Sequence, residues 1–424
     1  MPFSDLGLSP HAVPALQQAL RESGCEQPTP IQQRAIPLIV QGHDVVAMAP
    51  TGSGKTLAFA LPLLQRFGSG VAASPRRLTQ LVLVPTRELA AQVAGRFTAL
   101  AQYLPHRPKL VTAVGGVSIN PQMMELRGGA DIVVATPGRL LDLLAHNALT
   151  LERVETLVLD EADRLLDLGF GEELAQVLGR LPVRRQSLLF SATLPTAIRK
   201  LAAIHLHDPQ RVELDAGSAQ PAIAQRAIQV DDGSRTQLLA HLLRQQAWPR
   251  ALVFVGSRHV CEKVAEKLGK AGVLAEALHG ELSNGRRARV LQAFDSGHCQ
   301  VLVATDVAAR GIDIARLPVV VNYDLPRSTA DYVHRIGRTG RAGETGMAVS
   351  FVSAATEAHL RLIEKRQHLR IEREQVAGFE PRDTAAPGVA LADGNGGIKG
   401  RRPSKKDRLR AAAAAAGGDA PPAS

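Results

Sequence analysis

Three cysteines in 424 residues, Cys25, Cys261 and Cys299, are too few and too scattered for a disulfide framework or a zinc site. They read as small buried hydrophobes of a protein kept in a reducing compartment. Aromatic residues make up only 3% of the chain, so broad stacking platforms for single strands are not the expected binding mode. No apolar run approaches the length of a membrane span. Met1-Pro2-Phe3-Ser4-Asp5 lacks the basic and then apolar pattern of a secretory signal. The expectation is a cytoplasmic protein without membrane contact. Acid is also scarce: 40 Asp and Glu stand against 50 Lys and Arg, a net charge of +10. That balance favours polyanions, either nucleic acid or an acidic surface. The length and the 45% hydrophobic content allow two or three domains with full cores.

What is present is organised around Ala49-Pro50-Thr51-Gly52-Ser53-Gly54-Lys55-Thr56. A β-rich run, residues 44–48, leads in, and a helical run, residues 57–61, leads out. Strand, glycine-rich turn, Gly-Lys-Thr and helix form a phosphate-binding loop. Glycines let backbone N–H groups turn toward phosphate oxygens, and the helix N-terminus adds its positive dipole end. Thr51, Gly52, Ser53 and Gly54 would form the cradle, Lys55 would reach the β- and γ-phosphates, and Thr56 would hold Mg²⁺. Ala49 stands where the first glycine usually does.

Ahead of this loop, Pro28-Thr29-Pro30-Ile31-Gln32 makes a rigid turn into a helix. The Gln32 amide, one acceptor and two donors, suits an adenine edge. Beyond it, apolar runs ending near residues 84, 135, 159 and 190 are strands buried on both faces, hence a parallel sheet covered by helices. Each is followed by a polar segment at the edge where such sheets bind ligands. The alternation breaks at residues 211–222, which read as a linker, and restarts over residues 223–372 without a phosphate loop. Residues 1–210 are thus the nucleotide domain and 223–372 a second α/β domain, with a cleft between them. Residues 373–424 form a basic, low-complexity tail that reads as disordered.

Asp160-Glu161-Ala162-Asp163 ends a strand downstream of the phosphate loop. There Asp160 suits Mg²⁺ and Glu161 suits polarising the attacking water. Elsewhere such a pair would be a solvated strand end. Arg335, Arg338 and Arg341 crowd between glycines in residues 334–341. Guanidinium forks match phosphate geometry and stabilise charge on a transferring phosphoryl group. Arg338 lies far from Lys55 in sequence, so both reach one γ-phosphate only if the domains close together.

The set resembles a DEAD-box ATP-dependent RNA helicase of superfamily 2, over roughly residues 1–370, and in texture the bacterial RhlE-type subgroup. The resemblance implies two RecA-like domains in tandem, with ATP and Mg²⁺ as cofactors. It implies that Gln32 reads adenine and that Lys55, Thr56, Asp160 and Glu161 handle phosphate, metal and water. Ser191 and Thr193 would link hydrolysis to unwinding. Arg87, Gly115, Gly116, Thr136 and Arg139 would line the RNA path on the first domain, and Arg287 and Thr305 on the second. Asp313 would meet the ribose, and Arg338 and Arg341 would be arginine fingers. RNA contacts would go mainly to the backbone, with little sequence preference. The resemblance implies a monomeric core, with ribosome assembly, RNA decay and cold adaptation all compatible settings and proteins of ribosome assembly or RNA decay as candidate partners. Pro50, Cys25 and Asn284 depart from the family pattern, and Phe3 sits about one helical turn too far from Gly24 for adenine stacking. An RNA clamp with little unwinding shares all of these features. A DNA helicase fits the tetrad and the adenine segment less well.

Seven basic residues lie between Lys399 and Arg410 against one acid, Asp407. A basic tether of this kind raises the local concentration of RNA without specificity. Deleting residues 380–424 is therefore expected to leave kcat for ATP at saturating RNA unchanged and to raise the RNA concentration for half-stimulation. The defect should shrink as salt rises. Equal RNA requirement of the two proteins at low salt would contradict this role.

Overall fold

A computed structural model describes residues 2–9, 11, 13–22, 24–50, 52–67, 76–214, 223–309, 317–340, 346–367 and 369–382. The apolar runs form two parallel sheets of seven strands each. The first contains β1 (Val45–Met48), β2 (Gln80–Leu83), β3 (Leu110–Ala113), β4 (Ile132–Ala135), β5 (Thr156–Leu159), β6 (Gln186–Ser191) and β7 (Gln210–Glu213). Its spatial order is β3-β4-β2-β5-β6-β1-β7. The second contains β8 (Ile223–Gln229), β9 (Ala251–Val255), β10 (Ala275–Leu278), β11 (Val301–Thr305), β12 (Val319–Asn322), β13 (Gly346–Val352) and β14 (Arg373–Glu374). Its order, β10-β11-β9-β12-β13-β8-β14, repeats the first strand for strand. All pairings are parallel, so helices must cross between strands and cover both faces.

Alternation along each strand decides which face a residue fills. Val45 and Ala47 of β1 and Val82 of β2 enter one core with Phe59, Phe97 and Phe190. Val46, Leu81 and Leu83 enter the core on the opposite face with Leu140 and Leu165. Phe59 packs on Phe190 with ring centroids 5.2 Å apart. In the second lobe Val253 and Val255 point to one face, and Leu252 and Phe254 to the other. The N-terminal edge of the first sheet is closed by buried polar side chains. Asp44 accepts from the backbone N–H groups of Ser187 and His207, each at 2.7 Å. The Gln186 amide donates to the carbonyls of Ile39 and His43, each at 2.8 Å. These bonds leave the opposite edge, where the strands end, to the loops that carry the polar motifs.

Two segments fall differently from the sequence expectation. Residues 211–213, expected in the linker, run in β7, paired with β1 in register Val45↔Gln210 to Met48↔Glu213. Residues 373–382, expected in the tail, continue the second lobe. Arg373–Glu374 pair with β8, and the Phe379 ring lies 5.4 Å from the His241 ring. Both are edge strands of mixed polarity, whose pairing depends on a neighbour and not on an apolar run of their own. The remainder of the expected linker and of the tail lies outside the described residues, apart from Leu214.

Candidate functional site

The phosphate loop joins β1 to the helix Lys55–Gln65. Gly52 and Gly54 have φ of +79° and +95°, a conformation that favours glycine. A Cβ on Gly54 would also stand 2.9 Å from Thr29 Oγ1, so the loop packs against the proline-flanked turn. Gln32 explains that packing. It is buried in the helix Pro30–Val40, accepts from the Thr29 N–H at 2.9 Å and donates to the Gly54 carbonyl at 3.0 Å. The side chain expected at adenine thus also braces the phosphate loop, with one N–H and one lone pair left over. Lys55 is buried and donates to the Ala49 carbonyl at 2.7 Å, which folds its ammonium over the loop. Phe3 is 4% exposed inside the first core.

Asp160 and Glu161 follow β5. Glu161 has φ +49°, an uncommon backbone state for a residue with a side chain. Asp160 is buried, and burial pushes its carboxyl up to about 7 against the pull of Lys55. Asp163 is the junction of this corner. Its carboxylate accepts from Thr193 N–H at 3.0 Å and Thr193 Oγ1 at 2.8 Å, and its N–H donates to Ser191 Oγ at 3.2 Å. Ser191 and Thr193 thus meet the acidic loop through one residue.

The two lobes touch at this corner. Arg338, from the second lobe, lines one narrow cleft with Glu161, Arg164, Asp306, Asp331 and His334. Burial, together with Arg164, Lys55 and Arg338, holds His334 well below the usual imidazole range, so the ring is neutral at pH 7. Thr51, Asp313 and Arg341 lie outside the described residues.

A second cleft, of about 790 Å³, runs between the lobes and is lined by Arg87, Gly115, Gly116, Thr136, Arg139 and Arg287. These are six of the seven residues expected to line an RNA path. Thr305, at the end of β11, is not part of this wall. Gly116 has φ +75°, and a Cβ there would stand 2.7 Å from Arg87 Nη1. Arg139 donates from Nη2 to the Val117 carbonyl at 2.7 Å. Its Nε stands 3.5 Å from an Asp142 carboxylate oxygen, and Nε and Nη1 are buried without a hydrogen bond among the described residues. Sequence reasoning missed Glu88, which stands 3.9 Å from Arg87 and 3.1 Å from Arg287. It also missed an apolar stretch of Leu168, Phe170, Leu282 and Val307 in the same wall. The adjacency of Glu88 to Arg87 is visible in sequence, but its partner across the cleft is not.

Two parallel-sheet lobes in tandem, the first with a phosphate loop, define a helicase-like α/β architecture. Residues 29–201 match the DEAD/DEAH box helicase family and residues 234–343 the helicase conserved C-terminal domain. The chain is 40% identical over 372 residues to the DEAD-box ATP-dependent RNA helicase CshA of Geobacillus kaustophilus, covering 88% of this chain and 78% of that protein. Among solved structures it resembles S. cerevisiae Dbp5 bound to RNA and ADP BeF3, at 31% identity and TM-score 0.77, over 88% of this chain and 95% of that one. A single-residue variant of S. cerevisiae Dbp5, bound to Nup159, a Gle1 variant, IP6 and ADP, is 30% identical with a TM-score of 0.60, over 89% of this chain and 96% of that one. The chain belongs to the DEAD-box family of ATP-dependent RNA helicases. These relatives do not bear on the RhlE-type subgroup.

The donor set fits Mg²⁺. The Thr56 hydroxyl and the Asp160 carboxylate would offer hard oxygen donors, and a buried carboxylate beside Glu161 favours a nearby cation. The same burial has a consequence for stability. Unfolded, an Asp titrates near its ordinary 3.8; folded, Asp160 titrates near 7. Between these values the native state holds a proton that the unfolded chain has lost, so stability falls as pH rises through the window. Asp160→Asn carries no such burden. Without nucleotide and with EDTA, the variant is expected to be more stable than the parent at pH 8 by on the order of a few kcal/mol, with the gap closing toward pH 4. Denaturant unfolding across pH measures this, and an equal gap at pH 5 and pH 8 would contradict it.

Proposed function

We propose that this chain hydrolyses ATP in response to RNA, and that closing of its lobes over both ligands opens short RNA duplexes or remodels RNA–protein complexes. One observation carries the reading: residues of both lobes line each of the two clefts, Glu161 with Arg338 in one and Arg87 and Arg139 with Arg287 in the other. Each ligand then has differential affinity for the joined state, which is the condition for driving closure. The higher TM-score with the RNA- and nucleotide-bound Dbp5 supports the joined arrangement.

The phosphate loop, with Thr51, Gly52, Ser53 and Gly54, cradles the phosphates. Lys55 moves from the Ala49 carbonyl to the β- and γ-phosphates. Gln32 reads adenine with its remaining donor and acceptor, and Asp313 holds the ribose. Thr56 and Asp160 hold Mg²⁺, which when bound neutralises phosphate charge. Glu161 orients the attacking water and accepts its proton, and Arg338 with Arg341 stabilises charge on the transferring phosphoryl group. Ser191 and Thr193 pass any shift of the acidic loop to β6 through Asp163. On the RNA side, the buried Nε and Nη1 of Arg139 are donors suited to phosphate oxygens. Arg87, Gly115, Gly116, Thr136, Arg287 and Thr305 complete a backbone-reading path that confers little sequence specificity. The setting we propose is cytoplasmic, with RNA as the main partner and ribosome assembly or RNA decay as the context.

Glu161→Gln is expected to bind ATP as the parent does but to lose at least ~100-fold in RNA-stimulated turnover, because the amide accepts no proton. Lys55→Ala should instead raise the KM for ATP. Parental turnover by Glu161→Gln would remove Glu161 from the chemistry. RNA-stimulated hydrolysis without duplex release would assign the chain to the RNA-clamp alternative.

A further inference from the structure

One buried cation at the lobe boundary has no part in the chemistry above. Arg164 follows the acidic tetrad in the helix Ala162–Asp167, and its side chain is 2% exposed. Its Nη1 stands 2.5 Å from Asp331 Oδ1, and its Nε donates to His334 Nδ1 at 2.7 Å. Both acceptors belong to the second lobe. Within its own lobe its guanidinium pairs, among the described residues, with Asp167, 3.8 Å away and half-exposed. A buried guanidinium is stable only when paired, and here the pairing comes from across the boundary.

Asp331 and His334 lie three residues apart on one face of the helix Thr329–Ile336. That helix is fixed within the second lobe by Arg335, which holds Asp306 at 2.6 and 2.7 Å and donates to the Asp324 carbonyl at 2.6 Å. Arg338 follows two residues after the helix ends. On the first-lobe side, the Arg164 N–H donates to Asp163 Oδ1 at 3.1 Å, and Asp163 holds Thr193. A single side chain therefore connects the acidic loop to the element that presents Arg338.

We infer that Arg164 is a positioning residue: it clamps the helix bearing Asp331 and His334 onto the acidic loop and so sets Arg338 against the γ-phosphate site when the lobes join. This rests on the ATPase reading above. When the lobes part, Arg164 returns to water, so the contact stabilises the joined state selectively. His334 serves as an acceptor here because it is neutral.

The test uses the full chain and a fluorescent single-stranded RNA. With ADP–BeF3, the parent should release RNA slowly, and Arg164→Ala should release it about 10-fold faster, the loss of roughly 1.4 kcal/mol from the joined state. RNA-stimulated kcat should fall by a similar factor with KM for ATP unchanged. Binding of RNA without nucleotide, and the thermal midpoint without ligands, should match the parent. Asp331→Ala should behave alike, and the double variant should be no worse than the worse single one. Arg164→Lys should recover only part, since an ammonium lacks the fork that reaches both acceptors. Parental RNA retention by Arg164→Ala, multiplicative effects in the double variant, or a lowered midpoint without ligands would each overturn the inference. A parent that fails to retain RNA with ADP–BeF3 would remove the ATPase reading and this inference together. A retaining parent with an equally retaining variant would remove this inference alone.

Discussion

The carboxylate of Asp163 is the junction on which the functional corner depends. It sits in the first turn of the helix Ala162–Asp167 that follows β5, receives two hydrogen bonds from Thr193 beyond β6, and receives the Arg164 N–H. Its own N–H binds Ser191 at the end of β6. Three segments are thereby held in one small volume. Buried polar networks of this kind are costly when half-satisfied and rigid when complete, and here the Asp163 carboxylate has donors on both oxygens. The stability of that junction lets Glu161 sit at φ +49° beside a buried Asp160 without the loop relaxing away.

Electrostatics then divides the work between the lobes. The first lobe carries the buried acid and Lys55, and the second carries Arg338. In the second cleft stand Arg87 and Arg287. Burial is the larger cause that weakens the hold of Arg287 on its proton; repulsion from Arg87 adds to it, and Glu88 opposes it. A carboxylate between two guanidiniums permits like charges of the two lobes to face one cleft when the lobes join. A polyanion entering this cleft would offer the same service from outside.

Much of this is legible in the sequence, for reasons that can be named. The strands from Val45, Gln80, Ile132 and Thr156 are short, largely apolar runs buried on both faces, and each leads into a polar motif at the functional edge. The phosphate loop is local, because its geometry is dictated by glycines within a few residues. What escapes is what depends on distant partners. β7 and β14 are polar edges whose pairing is supplied by β1 and β8. Gln32 reads as a ligand group in sequence, and its contact with Gly54 needs the loop folded against the turn. Arg164 carries no sequence signal of its role, since Asp331 lies 167 positions away. The strand-for-strand repeat of the two sheets is equally hidden, because the second lobe lacks the phosphate loop that marks the first.

ATP and RNA act together, on this reading, through the joining of the lobes, and lobe separation measures that directly. Donor and acceptor dyes on Glu152→Cys and Lys270→Cys, in a chain with Cys25→Ser, report the distance between exposed positions on the two lobes. Low transfer efficiency is predicted for the free protein and with either ligand alone, and high efficiency only when ADP–BeF3 and single-stranded RNA are both present. Efficiency that is unchanged by both ligands together, or that rises fully with one of them, would contradict the coupling.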